Sequence, residues 1–280
     1  MKPQKALHLH IEEDKKNPKF KGRMYAIMQK FDGWYGYLEE GKIYSRAGRL
    51  IPSLAHLAMP KLKGRLIFEI LVEGVPVFSD LNGILNRKAP CNDAYFKVHD
   101  WVLHEEATFS TRWATACDFC YRYGEEYKMS IVKLLGQSKN PQVWKDTAKK
   151  LWDLDKEGVI LKAMDAPYSS GKRNADVMKI KEEVTLDLLV IGLEMGKGKY
   201  HSNLGALIVK DKANNTHSIS GMTDAQRKMW WNAPKCTFKV PHPILGRVVE
   251  VKAMKILKDG SLREPRFKAI RYDKTKTEID

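Results

Sequence analysis

The predicted fold is built outward from one stretch of sequence, Met24-Tyr25-Ala26-Ile27-Met28-Gln29-Lys30-Phe31-Asp32-Gly33-Trp34-Tyr35-Gly36-Tyr37. It indicates an apolar strand, a turn at Asp32-Gly33 and a second, aromatic strand. Lys30 ends the first strand, and Asp32 points to the same face of an extended chain. A lysine amine in a cleft becomes a nucleophile when burial or nearby cations favour its neutral form. Lys-x-Asp-Gly alone also fits an ordinary surface turn.

Composition indicates a soluble globular protein that binds polyanions. The chain has 280 residues, of which 43% are hydrophobic and 30% charged, so it can fold as one large or two ordinary domains and is not disordered. Its 49 Lys and Arg against 34 Asp and Glu give a net charge of +15. Such an excess favours nucleic acid as the partner, through counterion release.

The sequence carries no membrane or export signal. No apolar run is long enough to cross a bilayer, and the first residues lack an apolar signal core, so we expect a cytoplasmic protein and no membrane partner. The four cysteines, Cys91, Cys117, Cys120 and Cys236, are typical of a reducing compartment. Cys117-x-x-Cys120 has no second cysteine pair, and a structural zinc site needs four ligands, so zinc is not predicted.

Hydrophobic periodicity divides the chain in two. In the first part it predicts strands over 7–11, 41–48, 65–72, 95–103, 157–162 and 177–181, and helices over 52–59, 110–123 and 141–153. In the second part it predicts short strands over 186–193, 204–209, 216–219, 236–240 and 247–256, with one helix over 223–231. Five short strands and one helix are typical of a small Greek-key barrel of the OB type. We therefore expect domains over 1–184 and 185–280.

Charged residues in apolar strands are the candidate site. Glu69 lies within a strongly apolar strand, and Glu157 opens another; buried carboxylates need a cation, a metal or hydrogen bonds. The two could share one divalent ion, or each could end its strand in water. Lys179 and Lys181 alternate on one strand and point the same way, which suits a phosphate and equally a solvated basic face. Arg46 could present a guanidinium to a phosphate.

The order of these motifs is more specific than any one of them. The chain runs Lys30-Phe-Asp32-Gly33, Ser45-Arg46-Ala-Gly48, Phe68-Glu69, His99-Asp100, Glu157-Gly158-Val-Ile-Leu-Lys162, Lys179-Ile-Lys181 and Arg271-Tyr-Asp273-Lys274. This series resembles that of the covalent nucleotidyltransferases, in particular the ATP-dependent DNA ligases of bacteriophage and viral type. The resemblance covers residues 30–274.

The resemblance implies an α+β protein of two domains. An adenylyltransferase domain of ATP-grasp-like antiparallel sheets with helices would precede a C-terminal OB-fold β-barrel. The implied activity is sealing of 3′-OH/5′-phosphate nicks in duplex DNA through a lysine–AMP and a DNA–adenylate, in replication, repair or recombination. ATP and Mg²⁺ or Mn²⁺ would be required, and the protein would act as a monomer in the cytoplasm of a bacterium or a phage-infected host.

Each implied role falls on a matching position. Lys30 would attack the α-phosphorus of ATP. The implied nucleotide contacts are Asp32, Arg46, Glu69, His99, Glu157, Lys179, Lys181, Arg271 and Lys274, with Glu69 and Glu157 on the metal. The implied DNA contacts are Arg46, Lys162, Lys172, Arg173, Arg263 and Arg266.

The chain departs from the family pattern at three positions. Tyr35 stands where the family often has Arg, and Met28 where it often has an acidic residue that contacts adenine. His99 replaces an aromatic residue that stacks on adenine, a role that Phe96 or Trp101 could also fill. The nucleophile lies only about thirty residues from the first residue. A compact ligase that holds the duplex with loops 81–90 and 169–173 is therefore expected.

Three other functions remain open at this point. An mRNA-capping guanylyltransferase shares the lysine nucleophile and the OB domain. An RNA ligase shares the nucleophile but commonly lacks this barrel. A catalytically silent OB-fold nucleic-acid binder would form no covalent adduct with either ATP or GTP.

Overall fold

The computed structural model describes residues 1–9, 20, 22–75, 78–233, 242–257 and 259–280. The chain forms two compact units, Met1–Lys181 and Glu182–Asp280. The sequence-based boundary after residue 184 lies close to this division. No helix in the described part of the chain is both long enough and apolar enough to cross a membrane.

Most of the regular structure is strand. The strands of the first unit are β1 (Lys5–His8), β2 (Tyr25–Lys30), β3 (Trp34–Glu39), β4 (Lys42–Ser45), β5 (Arg65–Val72), β6 (Ala94–Val102), β7 (Met129–Ile131), β8 (Leu134–Ser138), β9 (Gly158–Ala163) and β10 (Arg173–Lys181). Its helices are α1 (Phe78–Leu85), α2 (Phe109–Tyr123) and α3 (Pro141–Trp152). The second unit has β11 (Val184–Met195), β12 (Leu204–Lys210), β13 (Thr216–Ile219), α4 (Asp224–Trp231), β14 (Val248–Ala253), β15 (Lys255–Ile256), β16 (Leu262–Arg263) and β17 (Arg266–Ile270).

The first unit is built on two five-stranded sheets. One has the order β1-β10-β9-β2-β8, and the other the order β4-β3-β5-β6-β7. Helix α3 packs on the first sheet, where Trp144 is fully buried and meets the ring of Tyr25 edge-on at 5.0 Å. Helices α1 and α2 cover the second sheet around Phe68 and Phe96. Because each sheet buries one face under helices, the opposite faces are free to carry polar side chains.

The second unit is a small barrel. Its sheet runs β13-β12-β11-β14-β17. The two edge strands meet where the backbone N–H of Phe267 donates to the carbonyl oxygen of Ser220 at 2.7 Å, so the sheet closes on itself. Helix α4 covers one part of its core with the fully buried Trp230. This architecture confirms the predicted α+β fold class with a C-terminal OB-type barrel.

Several predicted elements have different limits. The helix predicted over 52–59 is a single 3-10 turn, Pro52–Leu54, and the strand predicted over 177–181 extends back to Arg173. Strands β7 and β8 were not predicted, because their half-exposed residues show no strong alternation of apolar and polar side chains. Part of the strand predicted over 7–11 and all of that predicted over 236–240 lie outside the described residues.

Candidate active site

Both sheets of the first unit contribute side chains to one cleft. The chemically active residues that line it are Lys30, Arg46, Glu69, His99, Asp100, Lys162, Arg173, Lys179 and Lys181. Gln4 and the first two residues of strand β1, Lys5 and Ala6, also line it. The motifs quoted from the first 181 residues therefore meet around one cavity, although Lys30 and Lys181 are 151 residues apart in the sequence (181 − 30).

Lys30 forms an ion pair with the carboxylate of Glu157, the residue just before β9. Strands β2 and β10 flank β9, and both Lys30 and Lys181 lie opposite Gly158 in the strand register. The preceding residue, Glu157, is therefore placed between them. One of its oxygens lies 2.5 Å from Nζ of Lys30, and the other lies 2.5 Å from Nζ of Lys181. The Glu157 side chain is 3% exposed, so this carboxylate is a buried bridge between two ammonium groups.

Gly158 makes this arrangement possible. Its φ of +135° is a conformation that residues with a side chain rarely adopt. A Cβ at this position would lie 2.2 Å from the carbonyl oxygen of Ile180, on the neighbouring strand. Glycine is therefore required after Glu157 for a steric reason, because any side chain at position 158 would prevent β9 from beginning between β2 and β10.

Lys179 adds a third cation at this end of the cleft. Its pKa is lowered by burial, and further by the positive charges of Lys181 and Lys30. Three ammonium groups with one carboxylate among them form a site that attracts a polyanion such as a phosphate chain.

Glu69 is a half-buried residue on β5 that lines the same cleft. Burial of its carboxyl raises its pKa to about 7; the nearby charges of Lys30 and Arg46 oppose this rise, and those of Glu157 and Asp32 add to it. Glu69 is therefore only partly ionised at neutral pH. The carboxyl predicted in this apolar strand lines the cleft, and the cations near it are predicted site residues.

The turn at Asp32-Gly33 packs against the strand that carries Glu69. A Cβ on Gly33 would lie 2.9 Å from the carbonyl oxygen of Ile70 and 3.0 Å from Cβ of Glu69. Any side chain here would push the turn away from β5. The glycine therefore keeps Asp32, which is half-buried, near the Glu69 carboxyl.

Tyr35, one of the departures from the family pattern, supports Arg46. The guanidinium carbon of Arg46 lies over the Tyr35 ring, 4.5 Å from its centroid. A planar guanidinium on an aromatic face is a favourable cation–π pair. Tyr35 thus does not replace the charge of the missing arginine but orients the arginine that remains.

The second departure, Met28, is 1% exposed and packs in a small apolar cluster with Phe109 and Val132. It cannot make the polar contact with a base that an acidic residue would make. The polar contact that the family pattern implies at this position is therefore absent.

A β-bulge decides which aromatic side chain of β6 faces the cleft. Ile67 pairs with Asp100 and Phe68 with Val98, so His99 is an extra residue in β6. Both His99 and Asp100 line the cleft as a result. Phe96 is buried in the core beneath the sheet, and Trp101 packs on Phe119. Among the three ring residues proposed from the sequence, only His99 lies in the cleft.

The structure contradicts the role predicted for Lys162. It was predicted to contact DNA, but it is 6% exposed, and its Nζ forms an ion pair of 3.1 Å with Asp100. Asp100 also accepts 2.8 Å and 3.3 Å hydrogen bonds from the buried guanidinium of Arg112. The opposing charges of Lys162 and Arg112 outweigh burial and lower the pKa of Asp100. Lys162 is thus a buried ion-pair residue under the cleft.

Sequence reasoning missed three residues that line the cleft or form the ion pairs beneath it. Asp100 was quoted in a motif but given no role, while Arg112 and Tyr168 were not singled out. A sign was available for Arg112, because a cation at position 112 interrupts the apolar face of a predicted helix and needs a buried partner. Tyr168 also lines the cleft, and nothing in the sequence around it indicates this.

Oxygen donors for a divalent cation are present, although no group of three or more His, Cys, Asp or Glu side chains is placed to hold a metal in the part of the chain that the structure describes. Glu69 lines the cleft, and the Glu157 carboxylate acts on the pKa of Glu69 from nearby. Carboxylates suit Mg²⁺ or Mn²⁺, which complete their shell with phosphate oxygens and water. The donor set therefore fits a cation bound together with a phosphate.

The second unit resembles a known protein family. Residues 195–271 match the family model of the DNA ligase OB-like domain. The second unit is thus similar to a DNA ligase OB-like domain. Because the model covers only the barrel, it says nothing of the cleft in the first unit.

Relatives and solved structures extend the similarity beyond the DNA ligase OB-like domain. The chain is 34% identical over 144 residues to a "Probable DNA ligase" of Streptomyces avermitilis, a match that covers 44% of this chain and 28% of that protein. It is 32% identical over 148 residues to a DNA ligase of Halobacterium salinarum, covering 44% and 26%. The matched region thus spans less than a third of these relatives.

The fold matches over nearly the whole chain. A structure of a Lig E DNA ligase, described as binding DNA with a minimal scaffold, has a TM-score of 0.72 at 18% identity and covers 97% of this chain and 99% of its own. The ATP-dependent DNA ligase of bacteriophage T7, in complex with ATP, has a TM-score of 0.53 at 18% identity, covering 96% and 98%. These matches confirm the predicted resemblance and the two-domain ligase fold.

In the second unit, the residues predicted to contact the triphosphate form ion pairs with carboxylates of the same unit. Arg271 donates to both oxygens of Asp187, at 3.0 Å and 2.8 Å, and to Asp273. Nζ of Lys274 lies 2.5 Å from the same Asp187. The two cations are therefore preassembled around one buried acid, which was not predicted.

The remaining predicted DNA contacts lie on both units. Lys172 and Arg173 are exposed where the loop meets β10, and Arg173 also lines the cleft. In the second unit, Arg266 is exposed and pairs with Glu264 at 3.2 Å, and Arg263 is half-buried. Loop 81–90 is in part helix α1. These positions remain predictions for DNA contact.

Proposed function

We propose that this chain is an ATP-dependent DNA ligase that seals 3′-OH/5′-phosphate nicks in duplex DNA. The observation that carries the proposal is the cluster of Lys30, Lys179 and Lys181 around Glu157 at one end of the cleft. A reactive amine beside two further cations is what transfer of a nucleotidyl group requires.

In the first step, Nζ of Lys30 attacks the α-phosphorus of ATP. A P–N bond forms, the bond between the α-phosphorus and the bridging oxygen breaks, and pyrophosphate leaves. Glu157 lies 2.5 Å from the amine and is placed to accept its proton. Lys179 and Lys181 would neutralise charge on the α-phosphate.

A 5′-phosphate oxygen of the nick then attacks the phosphorus of the lysine–AMP, and the P–N bond breaks to free Lys30 and give a DNA–adenylate. The adjacent 3′-hydroxyl attacks the 5′-phosphorus, a phosphodiester bond forms, and AMP leaves. Arg46, held on Tyr35 at 4.5 Å, is proposed to bind the nick phosphate. Glu69 and Glu157 would hold a Mg²⁺ or Mn²⁺ ion, which neutralises phosphate charge when bound. Arg271 and Lys274 are proposed to contact the triphosphate.

The remaining proposals come from charge and from the resemblance. The net charge of +15 favours DNA as the partner. We also propose that the protein acts as a monomer in the cytoplasm of a bacterium or a phage-infected host.

The test is covalent labelling followed by sealing. The protein is incubated with α-labelled ATP or GTP and Mg²⁺, and the adduct is resolved on a denaturing gel; ATP should label the wild type and the exposed-lysine control Lys42→Ala, but not Lys30→Ala. Labelling by GTP alone would instead indicate a capping guanylyltransferase. A nicked duplex should then be sealed only when its nick carries a 5′-phosphate. Sealing of nicked RNA in preference to DNA would indicate an RNA ligase.

A further inference from the structure

The bulged His99 lines the same cleft as the phosphate-binding cations Lys30, Lys179 and Lys181. The cleft wall also includes the apolar side chains of Met28, Val132 and Ile160. Apolar walls suit a planar base, whereas ammonium groups suit phosphates. His99 therefore lies in the cleft that would hold the base of a bound nucleotide.

The hydrogen bonds that Lys162 donates determine which ring nitrogen of His99 is an acceptor. An ammonium group has three N–H donors and no acceptor. Nζ of Lys162 lies 3.1 Å from Nδ1 of His99, 3.0 Å from the carbonyl oxygen of His99 and 3.1 Å from Oδ2 of Asp100. The three donors thus have three acceptors, and Nδ1 of His99 must be one of them.

This arrangement is held rigidly from below. Asp100 is 2% exposed and binds both Lys162 and Arg112. Nη1 of Arg112 in turn donates to the carbonyl oxygens of Ala107 and Ala166. One buried carboxylate therefore faces two cations, and the uncompensated positive charge disfavours a third on the imidazole. Burial and Lys162 indeed lower the pKa of His99 well below its usual range.

A neutral imidazole that accepts at Nδ1 carries its proton on Nε2. Within the described ranges, the hydrogen bond of the His99 ring is the one that Nδ1 accepts from Lys162. We infer, on the basis of the proposed nucleotide cleft, that His99 is a recognition residue locked by Lys162 as the Nε2–H tautomer, which donates a hydrogen bond to a ring nitrogen of the bound purine.

His99 has a hydrogen-bond donor in its ring, which a phenylalanine lacks. Both rings can stack on a base, but only the imidazole can donate in its own plane. The donor also supplies a polar contact at a position where Met28 supplies none. The acceptors that a purine offers in its ring are N1, N3 and N7, and the structure assigns one of them to His99.

The tautomer can be read in the nucleotide-free protein by ¹⁵N NMR of the histidine side chains, with the His99 signals identified by their loss in His99→Phe. We expect a pyrrole-type Nε2 and a pyridine-type Nδ1 that persist to the lowest pH at which the protein stays folded. The opposite tautomer, or a doubly protonated ring near neutral pH, would overturn the inference.

The ligand contact is tested with ATP analogues in which N1, N3 or N7 is replaced by CH. For the wild type, one analogue should show a KM in self-adenylation raised about three- to tenfold, the worth of one neutral hydrogen bond, with little change in kcat. The other two analogues should behave like ATP. If all three behaved like ATP, the purine contact would be refuted.

Two phenylalanine variants complete the experiment. His99→Phe should raise the KM for ATP by the same factor and abolish the discrimination among analogues, whereas His104→Phe, at an exposed histidine just after β6, should change neither. Discrimination that survived in His99→Phe would assign the contact to another residue. Absence of any adduct with ATP would reject the proposed function and, with it, the purine contact, whereas the tautomer would still be measured.

Discussion

Nζ of Lys30 and Oε2 of Glu157 are 2.5 Å apart, although 127 residues separate them in the chain. The same carboxylate holds Lys181 at 2.5 Å with its other oxygen. One buried acid thus sets the position of the proposed nucleophile and of a proposed phosphate ligand together. A change at Glu157 should affect both.

Glu157→Gln should lower the rate of self-adenylation by at least a hundredfold. The amide cannot accept the lysine proton, and it leaves two ammonium groups unneutralised beside each other. Single-turnover labelling with ATP measures the rate, and Glu73→Gln, at an exposed glutamate, serves as the matched control. An unchanged rate in folded Glu157→Gln would mean that the carboxylate has no part in the reaction.

Glu69 should make the protein less stable as the pH rises. Its pKa is about 7 in the folded chain against 4.5 ordinarily, so the unfolded state ionises first. The cost grows from about pH 4.5, reaches on the order of 3 kcal/mol near pH 7 and is constant above it. Glu69→Gln avoids this cost.

The advantage of Glu69→Gln over the wild type should therefore increase by about 2 kcal/mol between about pH 5.5 and about pH 8. Urea unfolding of the nucleotide-free and metal-free proteins at both pH values measures it. An advantage independent of pH would show that the carboxyl titrates normally in the folded protein.

Gly158→Ala should destabilise the first unit by about 3 kcal/mol or more, since it combines an unfavourable φ with a backbone clash. The new Cβ would lie 2.2 Å from the carbonyl oxygen of Ile180. Gly83→Ala is the control, because that glycine lies in helix α1 with open space around it, and alanine there should be neutral or slightly stabilising. Thermal unfolding of the two variants should give shifts of opposite direction or clearly unequal size.

Tyr35 and Arg46 should be coupled energetically. Removing either side chain breaks the same cation–π pair, so the effects of Tyr35→Ala and Arg46→Ala on nick binding should not add. We expect a coupling of about 0.5–2 kcal/mol in a double-mutant cycle. Tyr35→Phe keeps the aromatic face and should lose little. Strictly additive single effects would show that the ring does not support the guanidinium during binding.

The sequence predicted those parts of the site that follow from motifs along the chain, and missed those that depend on contacts between distant segments. Lys30, Glu69 and the Lys179/Lys181 pair were candidates because they lie in strands that alternate or are apolar. The order of the motifs along the chain, rather than any one local pattern, gave them their predicted roles. The bulge at His99 and the shared register of Lys30 and Lys181 were not predicted, since register emerges from pairing between strands far apart in the chain. Lys162 was misassigned because burial of a lysine depends on Asp100 and Arg112, which no local pattern connects to it.

The most direct test of the central claim is to locate the adduct. After incubation with ATP and Mg²⁺, the intact protein is digested and the peptide that carries AMP is sequenced by mass spectrometry. The proposed function predicts one AMP, joined to the side chain of Lys30 and absent from Lys30→Ala. AMP on another residue, or a wild-type protein that forms no adduct with any nucleotide, would contradict it.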